Sequence, residues 1–218
     1  MSYAQVQTHA TNAGLLTMGA LHPGPAKAKG LCDGTLILLG AAEAFWPVFS
    51  TSPEPLDGQP DPIDRWSTRV VGGLAAQLGA RAYYPFGGPP YTPFIDWALK
   101  SGRAFSSPTG MMVHDSVGLL ISYRGALHFP ETFDIPAATA AAPCDSCAGQ
   151  PCATTCPVAA LSGVAAYDLT ACHNYLDTPP GQSCMIQGCA ARLACPLSAG
   201  AGRLPFQSAL HMKAFHPT

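Results

Sequence analysis

Eight of the nine cysteines lie in one short stretch of the chain, and their spacing suits iron–sulfur chemistry. They form two runs, Cys144, Cys147, Cys152, Cys156 and Cys172, Cys184, Cys189, Cys195. The last cysteine of each run is followed by proline, Pro157 or Pro196. In bacterial ferredoxin runs, three cysteines of a loop bind one cluster and the cysteine before proline binds the other. Eight thiolates therefore predict two [4Fe-4S] clusters as cofactors, each with four ligands.

Disulfide bonds and zinc are the alternatives for these cysteines. An even number of cysteines in a short secreted chain favours disulfides, but 218 residues do not need such cross-links. The first 18 residues have neither a basic start nor an apolar stretch, so we expect a reducing, cytoplasmic location. Structural zinc usually takes two close pairs of cysteines, and only Cys144 and Cys147 form a pair with two residues between them. Neither alternative explains the repeated Cys-Pro.

The composition limits the classes of partner. The chain is 48% hydrophobic and 11% charged, with a formal net charge of −2. No basic block is present, so we expect no nucleic-acid partner. No apolar run reaches membrane-spanning length, so we expect no membrane partner. The partner that iron–sulfur clusters imply is a redox protein.

A stretch of small residues divides the sequence. After Ile135 the chain contains only alanine, proline and threonine as far as Pro143. Such residues offer little side chain to bury and are typical of a linker. We therefore predict an α/β domain at 1–135, a linker at 136–143 and an iron–sulfur region at 144–218.

Hydrophobic patterning predicts the strands of the N-terminal region. Apolar runs bounded by turn residues are expected to form strands, the last two as a hairpin, at Thr35–Leu39, Ala80–Phe86, Met111–Val113 and Leu119–Tyr123. Together with the intervening helices they predict an α/β layer domain with mixed strands.

Capping signals predict the helices. Asp61 is expected to cap a helix that begins at Pro62 and stops at Gly79. A second helix is expected from Thr92 to Gly102, whereas residues 41–60, rich in proline and aromatics, predict a surface loop. In the C-terminal region, Asp168 is expected to cap a helix over 169–176 that carries Cys172.

Two stretches of the chain resemble known families. The cysteine runs, together with 167–176 between them (Tyr-Asp-Leu-Thr-Ala-Cys-His-Asn-Tyr-Leu), resemble the ferredoxin module of epoxyqueuosine reductases. The stretch 109–127, which contains Met-Met-Val-His-Asp-Ser-Val-Gly-Leu-Leu-Ile-Ser-Tyr-Arg, resembles a strand pair of that family and, more closely, of CblC-type cobalamin-processing proteins. Both families have a nitroreductase-like fold that binds a corrinoid.

The resemblance implies a fold, a ligand assignment and an oligomeric state. The fold would be α+β, with a nitroreductase- or CblC-like domain followed by a small ferredoxin-like module for two [4Fe-4S] clusters. One cluster would be bound by Cys144, Cys147, Cys152 and Cys195. The other would be bound by Cys156, Cys172, Cys184 and Cys189. Nitroreductase-like folds form dimers, so a homodimer is conceivable.

Differences between this chain and the sequence pattern of epoxyqueuosine reductases argue against the reaction that those enzymes catalyse. The stretch before the predicted second helix, Gly88-Pro-Pro-Tyr-Thr92, has no carboxylate where the reductases have a catalytic acid. Their glycine-lysine motif after that helix is replaced by Phe105-Ser-Ser-Pro-Thr109. We therefore do not expect epoxyqueuosine reduction.

Three places in the N-terminal region are candidates for binding a corrinoid or a flavin. Gly87 and Gly88 can bring bare backbone close to a cofactor, although a tight turn is the simpler interpretation. Arg124 ends an apolar stretch and can bind a phosphate or carboxylate, although a surface ion pair is more common. His114 is a candidate ligand of a corrinoid or metal, although a hydrogen-bonded loop histidine is more frequent.

Two functions follow from the sequence. The first is an electron carrier that passes single electrons through two clusters to a partner protein. The alternative is a reductase in which the clusters supply a corrinoid or flavin held by the N-terminal domain. In a third interpretation the clusters have a purely structural role, but two adjacent clusters are better suited to electron relay.

Overall fold

The computed structural model describes residues 1–24, 31, 33–138, 141–163 and 165–217. Contacts divide them into two compact units, Met1–Ala104 with Ser122–Ala140, and Phe105–Ile121 with Ala141–Thr218. Residues 105–121, which the sequence analysis placed in the N-terminal region, group with the cysteines. Residues 139 and 140 of the predicted linker, and Cys32, lie outside the described ranges.

Helices and antiparallel strands make up an α+β protein. The strands are β1 (Leu16–Leu21), β2 (Thr35–Gly40), β3 (Arg81–Tyr83), β4 (Ala104–Ser106), β5 (Met112–His114) and β6 (Tyr123–Phe129). The α-helices are α1 (Tyr3–Asn12), α2 (Phe45–Ser50), α3 (Pro62–Leu78), α4 (Phe94–Lys100), α5 (Leu169–Leu176), α6 (Gln182–Gln187), α7 (Ala190–Leu193) and α8 (Pro205–Phe215). Within the described ranges, every helix is too short or too polar to cross a membrane.

The first unit is built on a four-stranded sheet of order β1-β2-β6-β3. Every pairing in it is antiparallel, so the prediction of mixed strands is wrong. The predicted strand at 35–39 is confirmed as β2, which is buried along its whole length. The buried residues of α3, including Val71, Leu74 and Leu78, recur at helical spacing and form one apolar face, and α3 contacts β3 and β6.

The predicted helix starting at Pro62 is confirmed as α3, but its start differs. Asp61 has left-handed backbone angles, with φ of 52°, and its side chain makes no capping hydrogen bond. Gly79 ends α3 in the left-handed conformation, with φ of 69°, as the sequence predicted. The predicted helix from Thr92 is confirmed as the shorter α4.

Two local predictions are wrong for reasons of tertiary packing. Residues 41–60 contain α2 instead of being a surface loop throughout, because Phe45 and Phe49 stack at 5.1 Å and bury their rings against Trp66. The strand predicted over 119–123 is not present as a separate element. Its last residue begins β6, and the turn after β5 closes with a single bridge between His114 and Gly118.

An ion pair between buried Glu54 and half-exposed Arg69 makes the stability of the first unit depend on pH. Glu54 is only 7% exposed, and Arg69 donates from Nε and Nη2 to its two oxygens at 2.5 and 2.9 Å. The hydrogen bonds from Arg69 lower the pKa of Glu54 below its ordinary value of 4.5. A lowered pKa stabilises the fold above the unfolded-state value, and this contribution disappears as the pH falls through the folded-state pKa.

We expect Glu54→Gln to lower the free energy of unfolding by about 1–2 kcal/mol at pH 7, because charged hydrogen bonds are lost. The difference from the parent should shrink steadily below pH 4.5, and urea denaturation at several pH values measures it. The control is Asp57→Asn, which removes an exposed pair with Arg65 and should have the smaller effect. A deficit that stays constant down to pH 2 would contradict the linkage.

The second unit is held together by close backbone contacts at glycines. A Cβ on Gly118 would lie 2.5 Å from the backbone nitrogen of Ser198, and a Cβ on Gly200 would lie 2.1 Å from the carbonyl oxygen of Ser116. Such distances exclude any side chain at these two positions. Residues 105–121 therefore pack directly on the segment that follows Cys195.

Candidate metal centres

Four thiols of the second unit, here named the first thiol set, line one small cavity. They are Cys144, Cys147, Cys152 and Cys195. Each lies in or directly beside a short 3₁₀ helix whose first residue is proline: Pro143–Ser146, Pro151–Ala153 or Pro196–Ala201. Proline holds φ near −65°, so each of these turns starts with a restricted backbone. The prolines of the sequence thus help to orient all four sulfurs.

The surroundings of the first thiol set are apolar. Cys152 and Cys195 are buried in a hydrophobic cluster with Val113 and Leu119. Among the described residues that line the cavity, none carries a charged side chain. Because apolar walls exclude water, they control the solvent exposure of any cofactor that the thiols bind, and solvent exposure helps to set a cluster's potential.

The thiols of the first set, which share one cavity, raise one another's pKa values. Burial raises the pKa of Cys144, and the neighbouring thiolates of Cys152, Cys195 and Cys147 raise it further. Burial likewise raises the pKa of Cys152, with Cys195 and Cys147 adding to the effect. A cation bound among these sulfurs would relieve the repulsion and favour the thiolate forms.

Ser198 anchors the loop that presents Cys195. Its backbone N–H donates to the carbonyl of Cys195 at 2.9 Å. Its hydroxyl donates to the carbonyl of Arg192 at 2.7 Å and accepts from the N–H of Leu119 at 3.2 Å. Ser198 is 4% exposed, so these bonds are shielded from water and fix the loop against the Leu119 segment.

The other four thiols, here named the second thiol set, line a separate cavity of the same unit. They are Cys156, Cys172, Cys184 and Cys189. Cys172 lies on α5, which Asp168 caps by accepting from the N–H of Ala171 at 2.8 Å, as the sequence predicted. Cys184 lies on α6 and Cys189 directly precedes α7. Three helices therefore orient three of these sulfurs.

The second thiol set also shows mutual repulsion. Burial raises the pKa of Cys172, a hydrogen bond from Tyr167 opposes this, and Cys189, Cys156 and Cys184 raise it again. Burial and the bond to Cys172 raise the pKa of Tyr167 as well.

Each cysteine run contributes three thiols to one set and one to the other. Cys195 of the second run joins the first set, and Cys156 of the first run joins the second set. Cys152 and Cys156 therefore belong to different sets although they are only four positions apart in the chain, a span of at most about 14 Å. Leu119 and Leu120 likewise line different cavities. The two cavities are close neighbours.

All eight described cysteines are free thiols. In the part of the chain that the structure describes, no group of three or more His, Cys, Asp or Glu side chains is arranged to hold a metal ion. A [4Fe-4S] cube has a different requirement, since each of its four irons takes its own sulfur. Two sets of four thiols, each around its own cavity, fit that requirement in number and donor type.

Of the predicted cofactor-binding residues, Gly87, Gly88 and Arg124 belong to the first unit and His114 to the second. Gly87 has a φ of 82° and nothing within 4 Å of a Cβ, and Gly88 adjoins the ring of Tyr91. These two glycines lie in a partly exposed turn. A tight turn was the simpler of the two roles that the sequence offered for them, the other being close approach to a cofactor.

Arg124 and His114 both have partners within the protein. Arg124 donates from Nη1 to Asp64 at 3.0 Å and from Nε to the carbonyl of Tyr123 at 2.8 Å. Burial lowers its pKa, and burial also raises the pKa of Asp64. His114 is fully buried, and its Nδ1 accepts from the backbone N–H of Ser116 at 3.2 Å. Arg124 thus ties β6 to α3.

Sequence reasoning missed two cations beside the second thiol set. Arg192 and Arg203 line its cavity, and they donate to the carbonyls of Leu119 at 3.0 Å and Leu120 at 2.8 Å. The position of Arg192 between Cys189 and Cys195 was a usable signal. Nothing in the local sequence marked Arg203, which lies beyond the second run.

Comparison with models of known protein families gives no match for this chain, and comparison with curated proteins also gives no significant match.

Proposed function

We propose that this protein is an electron carrier whose second unit binds two [4Fe-4S] clusters, one at each thiol set. The observation that carries the proposal is that each cysteine run contributes one thiol to the other run's set: Cys195 lines the first cavity and Cys156 lines the second. This exchange brings two complete sets of four thiols to neighbouring cavities in a single small unit. A cluster supplies one-electron chemistry when bound.

The residues of the chain have separable roles in this proposal. The proline-initiated turns and three helices hold the thiolates. The hydrophobic cluster around Val113 and Leu119 keeps water from the first set. Arg192 and Arg203 place positive charge beside the second set, which favours an added electron there. We expect the potential at the second set to exceed that at the first for this reason.

The finer fold assignment belongs to the same proposal. A ferredoxin-like module would comprise residues 144–218, with 105–121 packed on it, and the sheet of the first unit would correspond to the nitroreductase- or CblC-like domain. The α+β class and the position of the thiols support this assignment. A redox protein would dock on the loaded unit.

A reductase is the second candidate, favoured by a specific observation. The cavity of the second thiol set, about 330 Å³, is far larger than that of the first, about 20 Å³. A carrier does not need this additional space, whereas an enzyme needs room for a substrate or a second cofactor.

Anaerobic purification followed by metal and sulfide analysis tests the proposal. We expect about eight iron and about eight acid-labile sulfide per chain, with broad brown absorption that bleaches on reduction. Electron paramagnetic resonance of the reduced protein should show two interacting clusters. Iron-free protein, or zinc in its place, would overturn the proposal.

A further inference from the structure

The two thiol cavities differ in volume although each surrounds the same number of sulfurs. The first measures about 20 Å³ and the second about 330 Å³. Two clusters of the same type need the same space, so most of the second cavity is not required for a cluster. A volume near 300 Å³ lies at the lower end of the range for small-molecule sites.

The additional walls of the second cavity are aromatic and sulfur-containing. They include Tyr167, Tyr175 and Phe215, together with Met111 and Met212. Aromatic rings and thioethers form favourable contacts with the faces and edges of flat conjugated rings. Such a lining is suited to a flat ring system.

The charges of the cavity select for a neutral ligand. Four thiolates around a cluster carry net negative charge, and Arg192 and Arg203 offset it. Among the described residues in the lining, none is an aspartate or glutamate. With its charges matched internally, the remaining apolar space disfavours an ion, whose burial needs a dedicated partner.

We propose that this cavity binds a flat, uncharged, redox-active molecule of two or three fused rings against the second thiol set. The inference rests on the proposed function, because the cluster makes the site useful. An isoalloxazine or naphthoquinone ring matches the size and lining of the cavity.

Such a ring takes up two electrons and two protons when it is reduced to its dihydro form. The carrier holds one electron at each of two clusters, which together supply both electrons, and solvent supplies the protons. The electrons enter from a low-potential one-electron donor protein, for which dithionite substitutes in vitro. Two clusters are thus matched to a two-electron acceptor.

Lumiflavin, which is flat, neutral and fluorescent, tests the site. We titrate it into cluster-loaded protein by isothermal calorimetry and by fluorescence quenching, and expect one site with Kd of roughly 1–100 µM. Met212→Trp fills the cavity and should weaken binding about tenfold or more. Phe215→Ala removes one wall and should weaken it roughly threefold to tenfold. Flavin mononucleotide, with the same rings and an added phosphate, should bind no more tightly.

The control is Phe206→Ala, on the same helix α8 but outside the cavity and 72% exposed. It should leave the Kd unchanged within about twofold. Iron is measured in every sample, so that failure of the two proposals can be distinguished. Iron-free protein overturns the carrier and this inference with it. Fully loaded protein that does not bind lumiflavin, or whose binding survives Met212→Trp and Phe215→Ala, overturns this inference alone. Tenfold tighter binding of the mononucleotide overturns the neutral-ligand assignment.

Discussion

Cys195→Ser is expected to remove the cluster held by Cys144, Cys147 and Cys152, although Cys195 belongs to the other cysteine run. The reason is that Cys195 lines the cavity of the first thiol set, and a cube with three thiolates has one poorly bound corner. Iron should fall from about eight to about four per chain, and the spin–spin interaction between two reduced clusters should disappear.

Cys156→Ser is the mirror-image control. It lies in the first run but lines the second cavity, so it should remove the other cluster. Each single variant should therefore retain four iron, with the two residual paramagnetic signals differing from one another. The exchange would be refuted if Cys195→Ser and Cys172→Ser left the same residual signal, because Cys172 lines the second cavity.

Gly118→Ala should strongly destabilise the second unit. Its φ of 59° already disfavours a side chain, and a Cβ would lie 2.5 Å from the nitrogen of Ser198. Left-handed strain of about 1–2 kcal/mol and a steric clash of about 1–3 kcal/mol should together lower the free energy of unfolding by about 2–5 kcal/mol. Since Ser198 anchors the loop of Cys195, iron should also leave the first set faster when a chelator is added.

Gly110→Ala separates the two causes. Gly110 has a φ of 77°, but nothing lies within 4 Å of a Cβ there. Gly110→Ala should lower the free energy of unfolding by the strain alone, about 1–2 kcal/mol, with no change in the rate of iron loss. Guanidinium denaturation and the chelator assay measure both quantities. Equal effects of the two variants would show that the contact with Ser198 is unimportant.

The elements best predicted from the sequence were those specified by local signals. β2 has a continuous apolar run between glycines, α3 has an apolar stripe and a terminal glycine, and α5 has a capping aspartate. The predictions that failed depended on distant partners. α2 exists because Phe45 and Phe49 bury against Trp66, and β6 begins at Tyr123 because it pairs with β2 and β3.

For the candidate site, the cysteine spacing and the two Cys-Pro pairs predicted eight ligands for two clusters, and the resemblance implied which four thiols belong together. The structure brings the same groups of four to separate cavities. Gly87, Gly88 and Arg124 lie in the first unit, whereas His114 lies in the second. Glycine, arginine and histidine each have common structural roles. A single such residue therefore does not identify a binding site unless its neighbours in space are known.

By itself, the sequence determined the number of thiols, their spacing and the prolines that begin the turns beside them, since proline and cysteine act through their own covalent structure. Only the tertiary structure decided that residues 105–121 join the cysteine unit, that Arg192 and Arg203 lie beside one thiol set, and that one cavity is much larger than the other. These features arise from contacts between residues far apart in the chain. Local patterns do not encode such contacts, because each is selected by the packing of the whole unit.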